Sequence, residues 1–290
     1  MSHASLSGQI VASFGKRYDV ELPDGQQVSC VTRGKKGDLA CGDSVDLAMT
    51  AEHEGVIEQV HPRSSLLYRS NDFRKKYLAA NVTQIVIVLA AVPSFYEDLL
   101  NRCLIAAEAA GIRALILLNK SDLPETPAAL AKLKLYQSLG YRVQMLSALQ
   151  DASALRPLLH GETSVLVGQS GMGKSTLVNA LLPDAHSRTQ EISDVLDSGK
   201  HTTTSARLYH LDADSHLIDS PGLQEFGLHH LGTDEMEMAF VEFRPFLGKC
   251  RFNNCRHLHE PDCAILNAVR EGRISDIRLQ SYQKLRAEIG

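Results

Sequence analysis

Residues 168–175 read GQSGMGKS, with an apolar, strand-like run, TSVLVG (163–168), before them and a helical run, STLVNALL (175–182), after them. The spacing G-x-x-x-x-G-K-[ST] between a strand and a helix is what a phosphate cradle requires. Gly168 and Gly173 let the backbone fold tightly enough for its N–H groups to face phosphate oxygens, with Gln169, Ser170, Gly171 and Met172 forming the loop between them. Lys174 is placed to reach the β- and γ-phosphates, Ser175 to set its hydroxyl on Mg²⁺, and Thr176 stands beside them at the helix start. The helix N-terminus adds partial positive charge at the same spot. A Gly-rich strand–helix turn without a ligand is the bland alternative, and the flanking pattern disfavours it.

Downstream, DSPG (219–222) follows the apolar run HLI and fits D-x-x-G. Asp219 would hold the Mg²⁺ shell and the Gly222 N–H would sense a γ-phosphate. Between the two motifs lies GKHTTT (199–204), which reads as a switch segment. There Thr203 or Thr204 could complete the Mg²⁺ shell and His201 could orient water, although His201 is equally well a surface loop residue. The position just after D-x-x-G, where Ras-type enzymes carry a water-orienting Gln, is Leu223, and Gln224 comes one residue late. Slow intrinsic hydrolysis, accelerated by a partner, is the expectation.

Upstream of the cradle, NKSD (119–122) ends the strand-like run RALILLN (113–119). A carboxylate at Asp122 can accept from both N1–H and the 2-amino group of guanine, whereas adenine offers neither donor. Asp122 would therefore choose GTP over ATP. Asn119 would bridge toward the base edge and the phosphate loop, the Lys120 stem would cover the ring face, and Ser121 completes the motif. Ser147 and Ala148, in SAL (147–149) after the next strand, would offer backbone N–H groups to guanine O6. In a Ras-type domain the phosphate cradle comes first; here the base-reading half does. Termini of compact domains usually lie close together, so a circular permutation can preserve one site. Each strand still delivers its loop to the carboxyl edge of a parallel sheet, and the segment after DSPG now runs straight into a C-terminal region.

The surrounding pattern agrees. From about residue 80 to 220, strand-like runs alternate with helical ones: QIVIVLAAV, YEDLLNRCLIAAEAAG, RALILLN, PAALAKLKLYQSLG, YRVQMLSA and TSVLVG. In the first helical stretch Leu99, Leu100, Cys103, Leu104 and Ala107 share a face, and Gly111 is placed to end it. Residues 6–62 instead hold five short runs, GQIVASF, YDVELP, QQVSCVTR, DSVDLAM and GVIEQV, separated by turn signals. These fit a small OB-type barrel or a generic β-subdomain. Arg33, Lys35 and Lys36 between two of them could grip RNA phosphate or form a solvated hairpin tip.

Near the C-terminus, CRFNNCRHLHEPDC places Cys250, Cys255, His257 and Cys263 within one short segment, with His259 as a substitute ligand. Three thiolates and an imidazole suit one structural Zn²⁺ per chain in a closed site. Lys249, Arg251, Arg256, Arg270, Arg273, Arg278, Lys284 and Arg286 surround it and suggest RNA backbone contact, but acids intersperse them, and a solvated helix face also accounts for the last three.

The 290 residues carry 44% apolar side chains and a net charge of −4, enough for more than one core and against a globally basic nucleic-acid binder. The apolar run IVIVLAAV (85–92) falls far short of the roughly 20 residues that span a bilayer. MSHASLSGQIV shows no secretory pattern, and the six Cys, with Cys30, Cys41 and Cys103 scattered and the other three crowded with histidines, suit a reducing cytoplasm with one metal site better than a disulfide scaffold.

With these motifs in this order, the chain resembles the circularly permuted small-ribosomal-subunit biogenesis GTPases, the RsgA family, over nearly its whole length. NKSD preceding GQSGMGKST, GKHTTT, DSPGL and the Cys/His cluster carry the resemblance. Met172, Lys200 and Ser220 are small departures from the family pattern. The resemblance implies a multidomain α/β protein: an N-terminal OB-type RNA-binding barrel (1–62), a central circularly permuted P-loop GTPase domain with a parallel sheet and flanking helices (63–228), and a mainly helical zinc-binding domain (229–290). It implies GTP hydrolysis to GDP stimulated by the small ribosomal subunit and its rRNA during late assembly, in a cytoplasmic protein with no membrane contact. The chain carries no oligomer signal and a monomer is expected. A GTPase acting on another structured RNA, and a nucleotide-gated RNA-binding module in which hydrolysis is incidental, are the rival readings.

Overall fold

Alternation of inward apolar and outward polar side chains, as in Arg17–Glu21 where Tyr18 and Val20 alone turn inward, builds the first unit. A computed structural model of the chain describes residues 6–33, 39–71, 74–182, 206–219, 228 and 231–289. Lys35, Lys36, His201, Thr203, Thr204, Gly222, Leu223 and Gln224 lie outside the described residues.

Strands β1 (Leu6–Phe14), β2 (Arg17–Glu21), β3 (Gln27–Thr32), β4 (Ser44–Ala51) and β5 (Glu54–Val60) pair in the closed order β1-β2-β3-β5-β4-β1, with β3 and β5 parallel. This is a five-stranded barrel of the OB type. Ile10, Tyr18, Val20, Val28, Cys30, Val45 and Leu47 fill it as a core of its own. A hairpin, β6 (Leu66–Asn71) and β7 (Arg74–Ala80), follows, and Ala79 bridges to Cys41. The sequence pattern did not announce this hairpin, because Arg69, Arg74, Lys75 and Lys76 interrupt the apolar runs.

The α/β unit comprises β8 (Gln84–Ala90), α1 (Glu97–Ala109), β9 (Arg113–Asn119), α2 (Thr126–Ser138), β10 (Arg142–Met145), α3 (Arg156–Leu159), β11 (Thr163–Val167), α4 (Lys174–Leu181), β12 (Ala206–His210) and β13 (His216–Asp219). Its strands lie in the order β10-β9-β8-β11-β13-β12. All pairs are parallel except β12–β13. The short link between β12 and β13 permits only an antiparallel return, since a parallel one needs a crossover of about a dozen residues. β12 also pairs antiparallel with β1, Ala12 opposite Arg207, so barrel and α/β sheet share a continuous hydrogen-bonded edge. Every residue of β8 is buried, as expected of a central strand covered on both faces.

Three helices complete the described chain: α5 (Thr233–Ala239), α6 (Ala264–Arg270) and α7 (Asp276–Ile289). Apolar residues of these helices and of the segment after α5, including Met236, Phe240, Phe243, Ile265 and Tyr282, join the core of the α/β unit without a break. α1 is therefore buried on more than its sheet-facing stripe: Asn101 and Ile105 are also inside. Asn101 is the hub. Its Oδ1 accepts from Tyr136 Oη (3.0 Å) and from Arg278 Nη1 (2.6 Å), and its Nδ2 donates to Ser281 Oγ (2.6 Å). Arg278 is fully buried, donates to Glu242 Oε1 at 2.5 Å and stacks over Phe240. Arg278 is thus neither an RNA contact nor part of a solvated face. The interspersed acids that suggested a solvated helix face are overridden by buried partners distant in sequence, Asn101 and Glu242. Lys284 pairs with Asp98 and Arg286 with Glu237, so these two also face protein groups.

Truncating one member of a buried ion pair strands the other. Arg278→Met is expected to lower stability by about 3–5 kcal/mol, and adding Glu242→Gln is expected to recover much of that loss. Urea unfolding midpoints of the two variants check it; equal losses would mean the pair is not coupled. No helix among the described residues is long and apolar enough to cross a membrane.

Candidate nucleotide site and metal centre

From β8 the chain runs to β9 and β10 on one side, then returns to β11 on the other. The sheet order reverses between β8 and β11, and a crevice at the carboxyl ends of such strands is where α/β proteins place ligands. The loop after β8 forms one wall of that crevice and GQSGMGKS the other. Gly168 packs against the Val88 carbonyl and Gly171 against the Pro93 ring, so a Cβ at Gly168 would overlap backbone. Gln169 Oε1 accepts from the Tyr96 N–H at 2.9 Å, tying the phosphate loop to the start of α1.

NKSD leaves β9 and meets the same crevice. Asn119, 2% exposed, donates from Nδ2 to the Met172 carbonyl at 2.9 Å and accepts at Oδ1 from the Ala148 N–H at 3.0 Å. One side chain thereby joins the guanine-reader motif, the phosphate loop and the SAL turn. Ser121 N–H donates to the Leu146 carbonyl, and Lys120, at φ +58°, donates from Nζ to the Val92 carbonyl at 2.8 Å. The Ser147 hydroxyl, and then the Asp122 backbone N–H, hold the Asp122 carboxyl below the usual carboxylate range. Asp122 is fully ionised at neutral pH, an acceptor-only group as a pair of guanine donors requires.

At the phosphate end, α4 begins at Lys174 with Gly173 (φ +90°) as its cap, and no side chain caps the first-turn N–H groups. Ser175 is exposed and Thr176 half-buried. Lys174 Nζ lies over the loop, donating to the carbonyls of Gly168 (2.5 Å) and Gln169 (2.8 Å). Burial lowers the Lys174 pKa against the attraction of Asp219, and burial raises that of Asp219 against Lys174. The β11–β13 register, Leu166 opposite Asp219, brings the two charges to one edge. Ser170 and Gly171 are exposed, while the Met172 side chain is buried and only its backbone faces the crevice loops.

A Cβ at Gly173 would overlap Asn119 Nδ2 and would sit at a φ unsuited to L side chains. Gly173→Ala is therefore expected to cost about 1–3 kcal/mol at the site, or roughly 5- to 150-fold in nucleotide affinity. Titration with a fluorescent GDP analogue reads this, and an unchanged Kd would remove the Gly173–Asn119 contact from the account.

The sulfur atoms of Cys250, Cys255 and Cys263 and a ring nitrogen of His257 lie within 4.8 Å of one another. Tetrahedral zinc with its usual bond lengths implies S···S edges of about 3.8 Å and N···S edges of about 3.6 Å. Cys250 Sγ···Cys263 Sγ is 3.8 Å, and His257 Nδ1 lies 3.6 Å from Cys250 Sγ and 3.2 Å from Cys263 Sγ. The donor set and its spacing fit a closed zinc site. His259 is exposed and stands outside the group. The turn that presents His257 (φ +57°) is shaped by Glu260, whose carboxylate accepts from the N–H groups of Arg256, Leu258 and His259. Burial works against the charge, yet these donors hold the Glu260 pKa at about 2.

Several participants had no mark in the sequence. Val92, Pro93 and Tyr96 belong to the site because β8 borders the switch point, a topological fact. Glu260 carries no spacing signature that marks it as the shaper of the His257 turn.

The comparisons with known proteins follow the same line. A sequence model of the RsgA GTPase family matches residues 60–229. The chain is 53% identical over 285 residues to a small ribosomal subunit biogenesis GTPase RsgA of Nitrosospira multiformis, spanning 98% of this chain and 91% of that one. It is also 53% identical over 283 residues to the protein of that name from Neisseria gonorrhoeae, spanning 98% and 92%. Among solved structures it is similar to YjeQ from Thermotoga maritima (TM-score 0.75, 26% identity, 98% of each chain). It is similar as well to YloQ, described as a circularly permuted GTPase (TM-score 0.71, 28% identity, 99% of this chain and 96% of that one).

Proposed function

This chain belongs to the RsgA GTPase family and is a GTP hydrolase, and on that premise we propose that it acts in biogenesis of the small ribosomal subunit. The observation that carries the reading is the Asn119 side chain, which ties the guanine-reader loop to the phosphate loop across one crevice. Asp122 selects guanine, with Asn119, Lys120, Ser121, Ser147 and Ala148 shaping the base pocket. Gly168 to Thr176 hold the phosphates. Ser175 and Asp219 would carry Mg²⁺, which neutralises charge on the β- and γ-phosphates. Cys250, Cys255, His257 and Cys263 would hold one zinc ion that stabilises the C-terminal unit.

The finer reading is a late-stage assembly or checkpoint factor, monomeric and cytoplasmic, with slow intrinsic hydrolysis that the small subunit and its rRNA accelerate. Residues 1–62, 63–228 and 229–290 serve as RNA-binding, nucleotide-binding and zinc-binding units. Leu223, where a water-orienting Gln would stand, supports slow turnover. The same residue favours the second reading, a nucleotide-gated RNA-binding module. Multiple-turnover GTP hydrolysis, measured with and without purified small subunits, separates the two. A strong rise with subunits supports the assembly GTPase, and a flat response supports the binding module.

A further inference from the structure

We propose that Glu237 is the outer partner of the metal centre: it accepts the Nε2 proton of His257 and thereby commits Nδ1 to the metal. The inference rests on the zinc reading above. His257 is 3% exposed, and its Nδ1 faces the sulfur atoms of Cys250 and Cys263. Its Nε2 is buried and makes no hydrogen bond among the described residues, a costly condition for a ring N–H. Glu237 Oε1 lies 3.5 Å from that nitrogen, close enough for a small adjustment to complete the bond.

Glu237 is itself held in place. Tyr282 Oη donates to its Oε1 at 2.8 Å, and Arg286 Nη1 lies 3.2 Å from the same oxygen and 2.7 Å from Tyr282 Oη. The imidazole edge packs against Phe243 and Tyr282. Glu237 lies on α5, Tyr282 and Arg286 on α7, and His257 in the cysteine loop. The relay therefore connects two helices to the metal through one ring. A carboxylate in this position fixes a ligating imidazole's tautomer and raises its basicity, and its loss typically costs 10- to 100-fold in metal affinity. Glu237 is a positioning residue and does not touch the metal.

The test uses the full-length, zinc-loaded chain and a chromophoric chelator in competition. The parent is expected to hold one zinc per chain; a parent holding none overturns the zinc reading and this inference with it. With the parent loaded, Glu237→Ala is expected to lose zinc 10- to 100-fold more readily. Glu237→Gln, which keeps a neutral acceptor and the side-chain volume, is expected to fall between them. Asp234→Ala, an exposed change on the same helix, is expected to match the parent. ¹⁵N spectra of the imidazole add a readout that loosened packing would not move: the zinc-loaded parent and Glu237→Gln should show His257 protonated at Nε2. Parent-like zinc retention in both Glu237 variants, or metal on Nε2 in the loaded parent, overturns the proposal.

Discussion

Asp122→Asn is expected to weaken GTP binding by roughly 10²- to 10⁴-fold while creating affinity for the xanthine nucleotide. Guanine presents two donors on one edge, N1–H and the 2-amino group. An ionised carboxylate accepts both, and each charge-assisted bond contributes about 1.5–3 kcal/mol. An Asn amide accepts one and turns its NH₂ toward the other, so one bond is lost and a donor faces a donor. Xanthine carries a carbonyl where guanine carries the amino group, and that carbonyl accepts from the Asn NH₂. The carboxyl of Asp122 is held low in pKa by the Ser147 hydroxyl and its own N–H, so nothing but the substitution changes its charge near neutrality. Competition binding with GTP, ATP and xanthosine triphosphate reads the swap. Unchanged preference for GTP would detach NKSD from base selection.

The second large effect is expected from Cys250→Ser or from chelation. Structural zinc in small domains supplies an apparent 10–16 kcal/mol of folding free energy, and the closed four-ligand site gives it no catalytic position. Apart from the metal, the loop is held by the N–H bonds to Glu260 and by the bond from Gln283 Nε2 to the His257 carbonyl. α6 has seven residues, too few to be stable alone, and its N-cap is Cys263, whose Sγ accepts from the Leu266 N–H. Cys250→Ser is expected to lower zinc affinity by at least about 10³-fold and to strip amide-exchange protection from the loop and α6. The sheet strands β8, β9 and β11 should keep theirs, because their burial does not pass through the metal. Loss of zinc with protection intact over 250–270 would show that packing of Ile265 and Ala268 into the main core suffices.

Those two predictions draw on the portion of the molecule that was legible from the sequence. NKSD, GQSGMGKS and the Cys/His cluster are local: each places its chemistry within a few residues, and a strand before a loop is enough to aim it. The barrel was legible as well, because Tyr18 and Val20 alternate with Arg17, Asp19 and Glu21 along one short strand. The β6–β7 hairpin was not, since basic residues break its apolar rhythm. Nor was β12, which belongs to two units at once through pairings with β1 and β13. Arg278 misled for a related reason. Helical spacing says where a side chain leaves its own helix, and only the tertiary fold says that Asn101 and Glu242 wait there. Glu237 and Val92 likewise acquire their roles from elements distant in the chain.

The central claim is that a guanine reader and a phosphate cradle, reversed along the polypeptide, serve a single nucleotide. A crystal structure of the chain with GDP and Mg²⁺ tests it most directly. The account predicts one nucleotide, with its base edge within about 3.2 Å of the Asp122 carboxylate and its β-phosphate on the N–H groups of Gly173 to Ser175. A nucleotide whose phosphates fill the cradle while its base points away from NKSD would contradict it.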